Sequence, residues 1–282
     1  MKLGLALSGG GIRGIAHAGV LKALEENDIK VDIIGGTSSG SIISTLYAMG
    51  YSPYYIYILF KRYAKELVSQ SSFATISGLG GLITNKRTQF LGFNSGEQIE
   101  KGFNIVASRK GVKKILDIKM PLSIPAVDVQ NSKEYIFTNL VKPEDEKYIS
   151  NISIGKAIRA SSSFPVFFCP CEYGKHQFVD GGILNNVPAS EVRKLGADKV
   201  ISVNFRADDI TQESKIMDIV MRSIDIMGNK ISEDNLSKSD MVLTIQTDKT
   251  GLLEIDKLDD CYNYGYVQTL KKIDKIKDII GN

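Results

Sequence analysis

The chain has little of what would mark it for several common tasks. It holds three cysteines in 282 residues, Cys169, Cys171 and Cys261, too few to organise a disulfide framework. The C-x-C pair encloses Pro170, which is not a zinc spacing, and no second pair of Cys or His completes a ligand set. The cysteines read as inert thiols, and no metal is expected. Lys and Arg number 35 against 32 Asp and Glu, a surplus of +3, which is too small to argue for nucleic acid. The densest group of cations, Lys271, Lys272, Lys275 and Lys277, is interleaved with Asp274 and Asp278 and reads as a solvated helix face. No run approaches the ~18 uninterrupted apolar residues of a membrane helix. The opening "KLGLALSGGG" breaks into glycines before a signal-peptide core can form. These features predict a cytoplasmic protein whose only membrane contact would be peripheral.

What is present is the composition of an ordinary globular protein, 43% hydrophobic and 24% charged, with 26 Gly and 7 Pro. The length suits one large α/β domain or two small ones. Residues 2–8 read as a buried strand, and 13–27 as a helix with Ile15, Val20, Leu21 and Leu24 on one side. "VDIIGG" (31–36) is a second strand, and 39–50 a second helix closed by Gly50. This alternation predicts an α/β fold with a parallel sheet and right-handed crossovers. Residues 53–68 look helical and rich in tyrosine. Residues 69–96 are Gly/Ser-rich without period, the best candidate for a mobile loop or lid.

Further along, 122–129 and 134–139 form a predicted hairpin around "QNSK". A short helix follows at 153–162, then a strand at 176–182 that ends in a tight turn. "SEVRKLGA" is helical, and "KVISVNF" (199–205) is a buried strand. A long helix near 214–236, a strand at 241–247 and a last helix near 261–280 complete the chain. No repeat, low-complexity tract or linker divides it, so one domain over 1–282 is expected.

Gly9, Gly11 and Gly14 satisfy G-x-G-x-x-G, the pattern of a dinucleotide-binding loop. That reading demands an acidic residue at the end of the second strand, to meet the ribose hydroxyls. Asp32 lies near the start of that strand instead. Where the strand ends, the sequence continues Gly36-Thr37-Ser38-Ser39-Gly40, which is G-x-S-x-G at a strand–helix junction. A nucleophile elbow forces its serine into a strained conformation and crowds the residues two before and two after it. Gly36 and Gly40 relieve that crowding, and Ser38 is presented at a helix start whose partial positive charge favours a nearby anion.

A serine nucleophile needs a base. His17 lies within the first helix and reads as a core residue. His176 lies four residues before Asp180, and a triad of Ser38, His176 and Asp180 would depart from the α/β-hydrolase order of Ser, Asp/Glu, His, although triads recur in other orders. Asp180 is the stronger candidate. "FVDGG" sets its carboxylate at a strand end, and Gly181 and Gly182 then turn the chain. Partial burial would raise its pKa and improve it as a base.

Taken together, Gly9-Gly10-Gly11-Ile12-Arg13-Gly14, Gly36-Thr37-Ser38-Ser39-Gly40 and Asp180-Gly181-Gly182, in that order, resemble the patatin-like phospholipase family. "AHAGVLKALEE" and "IRASSSFPVFFCP" (158–170) support the match. It spans about residues 3–206, with 51–120 loosely covered and a C-terminal extension, 207–282, outside it. The resemblance implies a three-layer sandwich with a mainly parallel sheet. It also implies a serine acyl hydrolase of phospholipase, lysophospholipase or esterase type, acting on a lipid or other acyl ester through an acyl-serine intermediate, without a cofactor. It makes Ser38 the nucleophile and Asp180 the general base of a dyad, and it assigns Gly9 to Gly14 to the oxyanion hole. Backbone N–H groups at a helix start can hold a tetrahedral oxyanion as well as a phosphate. Arg13 braces the loop, meets a substrate phosphate or lies on the surface; these readings stay open. Ser39 occupies a position where the family carries various small residues.

Two apolar stretches complete the reading. "YSPYYIYILFKRY" (51–63) is an acyl-chain wall, a membrane-facing patch or simply core. Ile216, Ile219, Val220, Ile224, Met227 and Ile231 have helical spacing and read as core. A catalytically weak regulatory or adaptor protein on the same fold, or a dinucleotide-binding protein, remains the alternative.

Overall fold

The computed structural model describes residues 1–70, 94–140, 145–165, 167–206, 216–247, 250 and 254–281. Its centre is a run of strands too apolar to face water on either side. β1 (Leu3–Leu7) is buried at every position, and so are β2 (Ile33–Gly36) and β3 (Leu122–Asp128). Strands buried on both faces need cover from two layers of helices. Leu3, Leu5, Leu7 and Ile34 point into the larger core, while Ala6 and Ile33 point into a smaller one with Val187, Val192 and Val200. Fully burying each large aliphatic side chain is worth about 1.5–3 kcal/mol.

Among the described residues the sheet has nine strands. The remaining six are β4 (Lys133–Thr138), β5 (Tyr148–Ile149), β6 (Cys171–Tyr173), β7 (His176–Asp180), β8 (Lys199–Phe205) and β9 (Met241–Ile245). The main path runs β5-β4-β3-β2-β1-β8-β9. Pairings β1–β2, β1–β8, β2–β3, β4–β5 and β8–β9 are parallel, while β3–β4, β3–β7 and β6–β7 are antiparallel. A mainly parallel sheet between helices was the expected architecture, and the hairpin of 122–139 is the β3–β4 pair.

On the larger-core side lie α1 (Ala16–Glu25), α2 (Ser39–Ala48), α3 (Pro53–Gln70), α4 (Glu97–Ser108), α5 (Ile154–Ser161) and α8 (Leu258–Leu270). The other face carries α6 (Ala189–Lys194), with α7 (Ile216–Ser237) beside it. Helix α6 comes very close to the sheet because β1 and β2 present small residues there. A methyl group built on Gly4 would stand 2.4 Å from Val192 Cγ1, and one on Gly35 would stand 2.7 Å from Val192 Cγ2.

β3 positions the site. β4 occupies one of its edges throughout. On the other edge β2 pairs at Ile34↔Leu122 and Gly35↔Ser123, and β7 pairs at Ala126↔Asp180, Val127↔Val179 and Asp128↔Phe178. β2 and β7 therefore arrive along the same edge from opposite directions, and their C-terminal ends meet across a short gap. Pro125 lies in that gap. A proline inside a central strand would remove a ladder hydrogen bond, but here its nitrogen falls where neither neighbour pairs.

Several expectations need correction. The last helix is two, α8 and α9 (Ile273–Ile280), which break at Lys271–Lys272 so that Ile276 and Ile280 turn inward. Helix α4 answers to no expected element. On α7, Met227 and Ile231 are 56% and 43% exposed, so they are not core. The face of α7 turned inward carries Gly228 and Ser232, because the helix passes close to Gly182 O, 3.2 Å from a methyl group built on Gly228. The side chains of Ile216, Ile219, Val220 and Ile224 lie outside the described set.

The tyrosine-rich stretch is divided. Tyr51, Ile56 and Phe60 are buried, while Tyr54, Tyr55 and Ile58 face solvent. These outward residues stand near the start of α3. Most of the proposed lid, 69–96, falls outside the described residues. The lysine group at 271–277 lies on an exposed to half-buried face, as its charge pattern predicts.

Candidate active site

Ser38 sits between β2 and α2 with φ 53° and ψ −122°, a conformation that L-residues avoid and that costs about 1–3 kcal/mol. Its surroundings hold it there. A methyl group on Gly36 would stand 2.2 Å from Gly40 O, and one on Gly40 would stand 2.5 Å from Leu7 O, so the turn closes only because both are glycine. Thr37 N–H donates to Leu7 O at 3.1 Å, and the Thr37 hydroxyl donates to Asn185 O at 2.8 Å. Ser38 N–H donates to Ser161 Oγ at 3.0 Å, and Ser41 Oγ donates to Ser38 O at 2.6 Å. The Ser38 side chain itself is half-buried and reachable.

Asp180 ends β7 directly across the gap. Its backbone N–H donates to Ser163 O at 3.0 Å, and its Oδ1 accepts from Gly182 N–H at 2.8 Å. The tight turn is possible because Gly181 has no Cβ, which would lie 2.3 Å from Pro125 O. Oδ2 is buried and makes no hydrogen bond of normal geometry, yet the Ser38 hydroxyl is near enough to act on the carboxyl's titration. Burial pushes the Asp180 carboxyl up to about 6, against the opposing pull of the Ser38 hydroxyl and the Gly182 amide.

The glycine loop lies against the elbow, since a methyl group on Gly9 would stand 3.1 Å from Ser38 Cβ. A 3-10 turn over Gly11–Ile15 leads into α1, so the expected helix begins with a tighter turn. The first N–H groups of such a turn have no partner within it. Among the described residues the amides of Gly10, Gly11 and Ile12 donate to nothing, whereas Arg13 N–H donates to Gly10 O at 3.2 Å and Gly14 lies inside the turn. Gly9 differs from the expectation. Its N–H already donates to Asn186 Oδ1 at 3.0 Å and to Asn186 O at 3.2 Å, so it has no bond left for an oxyanion.

Arg13 is buried rather than on the surface. Its Nε donates to Gly10 O at 3.2 Å and its guanidinium lies 5.7 Å from the centre of the Phe205 ring, so it braces the loop. Ser39 is buried behind the loop, where a methyl group on Gly14 would stand 2.3 Å from its Oγ.

Neither histidine joins Ser38. His17 is fully buried, and burial lowers its pKa to about 4; the neutral ring donates from Nε2 to Ser8 O at 2.8 Å and so supports the loop from below. His176 pairs through Nδ1 with Asp128 Oδ2 at 2.7 Å, against Tyr135 and Phe178. It is four strand positions from Asp180, roughly 13 Å, which rules out the triad. Asp32 precedes β2, where it accepts from Leu3 N–H and pairs with Lys30, at the opposite end of the sheet from the glycine loop. The dinucleotide reading therefore fails on placement. All three cysteines are free thiols, and among the described residues no group of three or more His, Cys, Asp or Glu is placed to hold a metal ion.

Sequence reasoning missed Ser161, Asn185 and Asn186. The signals were a serine run at the end of α5 and a tandem asparagine just after Asp180-Gly181-Gly182, but nothing local says what either contacts.

The α/β sandwich thus brings a strained serine turn, a glycine loop and a buried aspartate together at facing strand ends. The family model for patatin-like phospholipase matches residues 5–193, and the chain belongs to that family. It is 35% identical over 207 residues to lysophospholipase NTE1 of Debaryomyces hansenii, covering 73% of this chain and 12% of that protein. It is 28% identical over 312 residues to lysophospholipase NTE1 of Meyerozyma guilliermondii, covering 99% and 20%. The chain thus spans a fifth or less of these relatives' length. Among solved structures it is similar in fold to VipD from Legionella pneumophila (TM-score 0.54, 15% identity, 97% of this chain and 67% of that one). It is similar also to the ExoU–SpcU complex of Pseudomonas aeruginosa (TM-score 0.51, 17% identity, 98% and 51%). No helix among the described residues is long and apolar enough to cross a membrane.

Proposed function

We propose that the protein is a serine acyl hydrolase of lipid esters that works through Ser38 and Asp180. The observation that carries this reading is the facing pair of strand ends: a strained, reachable serine opposite a buried carboxyl with one unpartnered oxygen. Asp180 Oδ2 takes the Ser38 proton as Oγ forms a bond to the ester carbonyl carbon. The carbonyl oxygen becomes an oxyanion, held by the amides of Gly10 and Gly11 at the start of the helix. One such donor is worth about a hundred- to a thousandfold in turnover. The tetrahedral centre collapses, the C–O bond to the alcohol breaks, and Asp180 returns its proton to the leaving oxygen. Water then attacks the acyl-Ser38 ester, giving its proton to Asp180, and the fatty acid departs as Ser38 is reprotonated.

That the relatives are lysophospholipases supports a lysophospholipid or kindred acyl lipid as substrate, met by peripheral contact with a lipid surface. A carboxyl that titrates at about 6 must be ionised to act as base, so turnover rises with pH through that value. A fluorophosphonate probe should label Ser38 covalently. Asp180→Asn should lower kcat by about a hundred- to ten-thousandfold, while His176→Ala keeps most of the activity. Absence of labelling at Ser38, or loss of turnover in His176→Ala with Asp180→Asn active, would overturn the assignment.

A further inference from the structure

The two halves of the site come from distant parts of the chain, and one side chain touches both. Asn186 Oδ1 accepts from Gly9 N–H at 3.0 Å, and its backbone oxygen accepts from the same N–H at 3.2 Å. A methyl group built on Gly9 would stand 2.6 Å from this Oδ1, so the carboxamide is pressed onto the loop. On its other side, a methyl group built on Gly182 would stand 3.1 Å from Asn186 Oδ1 and 3.0 Å from Asp180 Oδ1. The carboxamide therefore lies between the glycine loop and the turn that carries the base.

Its neighbour anchors it. Asn185 N–H donates to Gly181 O at 2.8 Å, and Asn185 O accepts the Thr37 hydroxyl. The Asn185 side chain donates to Glu134 Oε1 at 2.6 Å and accepts from Asn235 Nδ2 at 3.0 Å. Asn186 thus hangs from a segment already fixed to the elbow, to β4 and to α7.

We infer that Asn186 is the positioning residue that sets the glycine loop in register with Ser38 and Asp180, leaving Gly10 and Gly11 as the amides that meet the oxyanion. Engaging Gly9 on both Asn186 oxygens fixes the start of the loop beside Ser38, whose Cβ lies 3.1 Å from a methyl group built on Gly9. This rests on the acyl-hydrolase reading above for its catalytic part only, because the hold on Gly9 is a property of the resting protein. The inference also fixes what an added charge would do. Asp180 Oδ1 and Asn186 Oδ1 are within the ~6 Å over which one carboxylate shifts another.

The test compares the 282-residue chain with Asn186→Ala and Asn186→Asp. Hydrogen exchange of the Gly9 amide is read by NMR, with Ser8 N–H, which donates to Val203 O, as the internal control. Turnover of lysophospholipid per Ser38 labelled by fluorophosphonate is measured against pH. In Asn186→Ala, Gly9 should exchange about fivefold faster with Ser8 unchanged, and kcat should fall about 10- to 100-fold with KM within about threefold. Asn186→Asp keeps the acceptor, so Gly9 protection returns, while the acid limb of the pH profile moves up by about one unit. A merely structural residue would lower the labelled fraction and leave kcat per labelled Ser38 unchanged, while the shifted limb reports how close the added carboxylate lies to the Asp180 carboxyl. Gly9 exchange and kcat both within twofold of wild type in Asn186→Ala, or an unmoved acid limb in Asn186→Asp, overturns the inference. If the wild type hydrolyses nothing in a Ser38-dependent way, the functional reading fails, and the Gly9 comparison still decides whether Asn186 holds the loop.

Discussion

At Asp180, what the chemistry needs and what the fold prefers pull in opposite directions. The carboxyl titrates near 6 when folded and near 4 when unfolded, so the folded chain binds this proton more tightly. Its contribution to stability is complete below about pH 4 and is lost as pH rises through about 6. The loss amounts to no more than about 3 kcal/mol. Asp180→Asn keeps the acceptor for Gly182 N–H and removes the buried charge. Its melting temperature should exceed that of the wild type by roughly 3–8 °C at pH 8, with the gap closing below pH 4; equal melting at pH 8 would contradict the assigned burial cost. At this scale the sequence was half legible. Ser38 and Asp180 stand in short motifs whose glycines announce sharp turns. Arg13 could be read three ways, because its burial depends on Phe205. Asn186 and Ser161 act on residues 177 and 123 positions away, a relation that spacing cannot encode.

Among the elements, the crossing of α1 and α8 governs how firmly the glycine loop is backed. A methyl group on Gly19 would stand 2.1 Å from Tyr262 O, and one on Gly265 would stand 2.0 Å from Ala16 O, so the two backbones touch through a pair of glycines. Gly265→Ala must push the helices apart and should cost about 1–3 kcal/mol, read as a lower urea midpoint; an unchanged midpoint would mean the crossing is looser than described. Strands β1 and β2 were legible as short apolar runs, β3 as one arm of a hairpin and β8 as a mainly apolar strand, and α2 as a run opened by Ser38 and closed by Gly50. The break between α8 and α9 was not, since Lys271 and Lys272 are neither glycine nor proline and the turn follows from burying Ile276 and Ile280. The outward face of α7 was misjudged for a related reason. Apolar spacing shows that a helix has a stripe, whereas the depth to which that stripe sinks is set by the neighbour, here the backbone at Gly182.

For the whole molecule, the family match ends at residue 193 but the sheet does not. β8 pairs with β1, β9 pairs with β8, and α8 lies on α1, so the segment after 206 supplies cover to the strand that leads into the glycine loop. We propose that residues 1–282 fold as one unit. A chain ending at residue 206 should lack a single cooperative unfolding transition and should be cut rapidly by protease within 1–50. A truncated chain that melts cooperatively and labels at Ser38 would show the extension to be separable. The parallel core could be foreseen from alternating strands and helices, but the entry of β7 against β3 could not, because antiparallel pairing between distant segments leaves no local mark.

That meeting of β2 and β7 on one edge of β3 makes the site a matter of parity. Side chains alternate along a strand, so one residue added within β7 would turn the Asp180 carboxylate to the opposite face of the sheet. Chain added to a surface connection between α2 and β7 would leave Ser38 and Asp180 where they are. The facing of Ser38 and Asp180 is thus bound to an odd-or-even count inside two short strands. Surface turns between these elements, by contrast, can change length without moving either strand end.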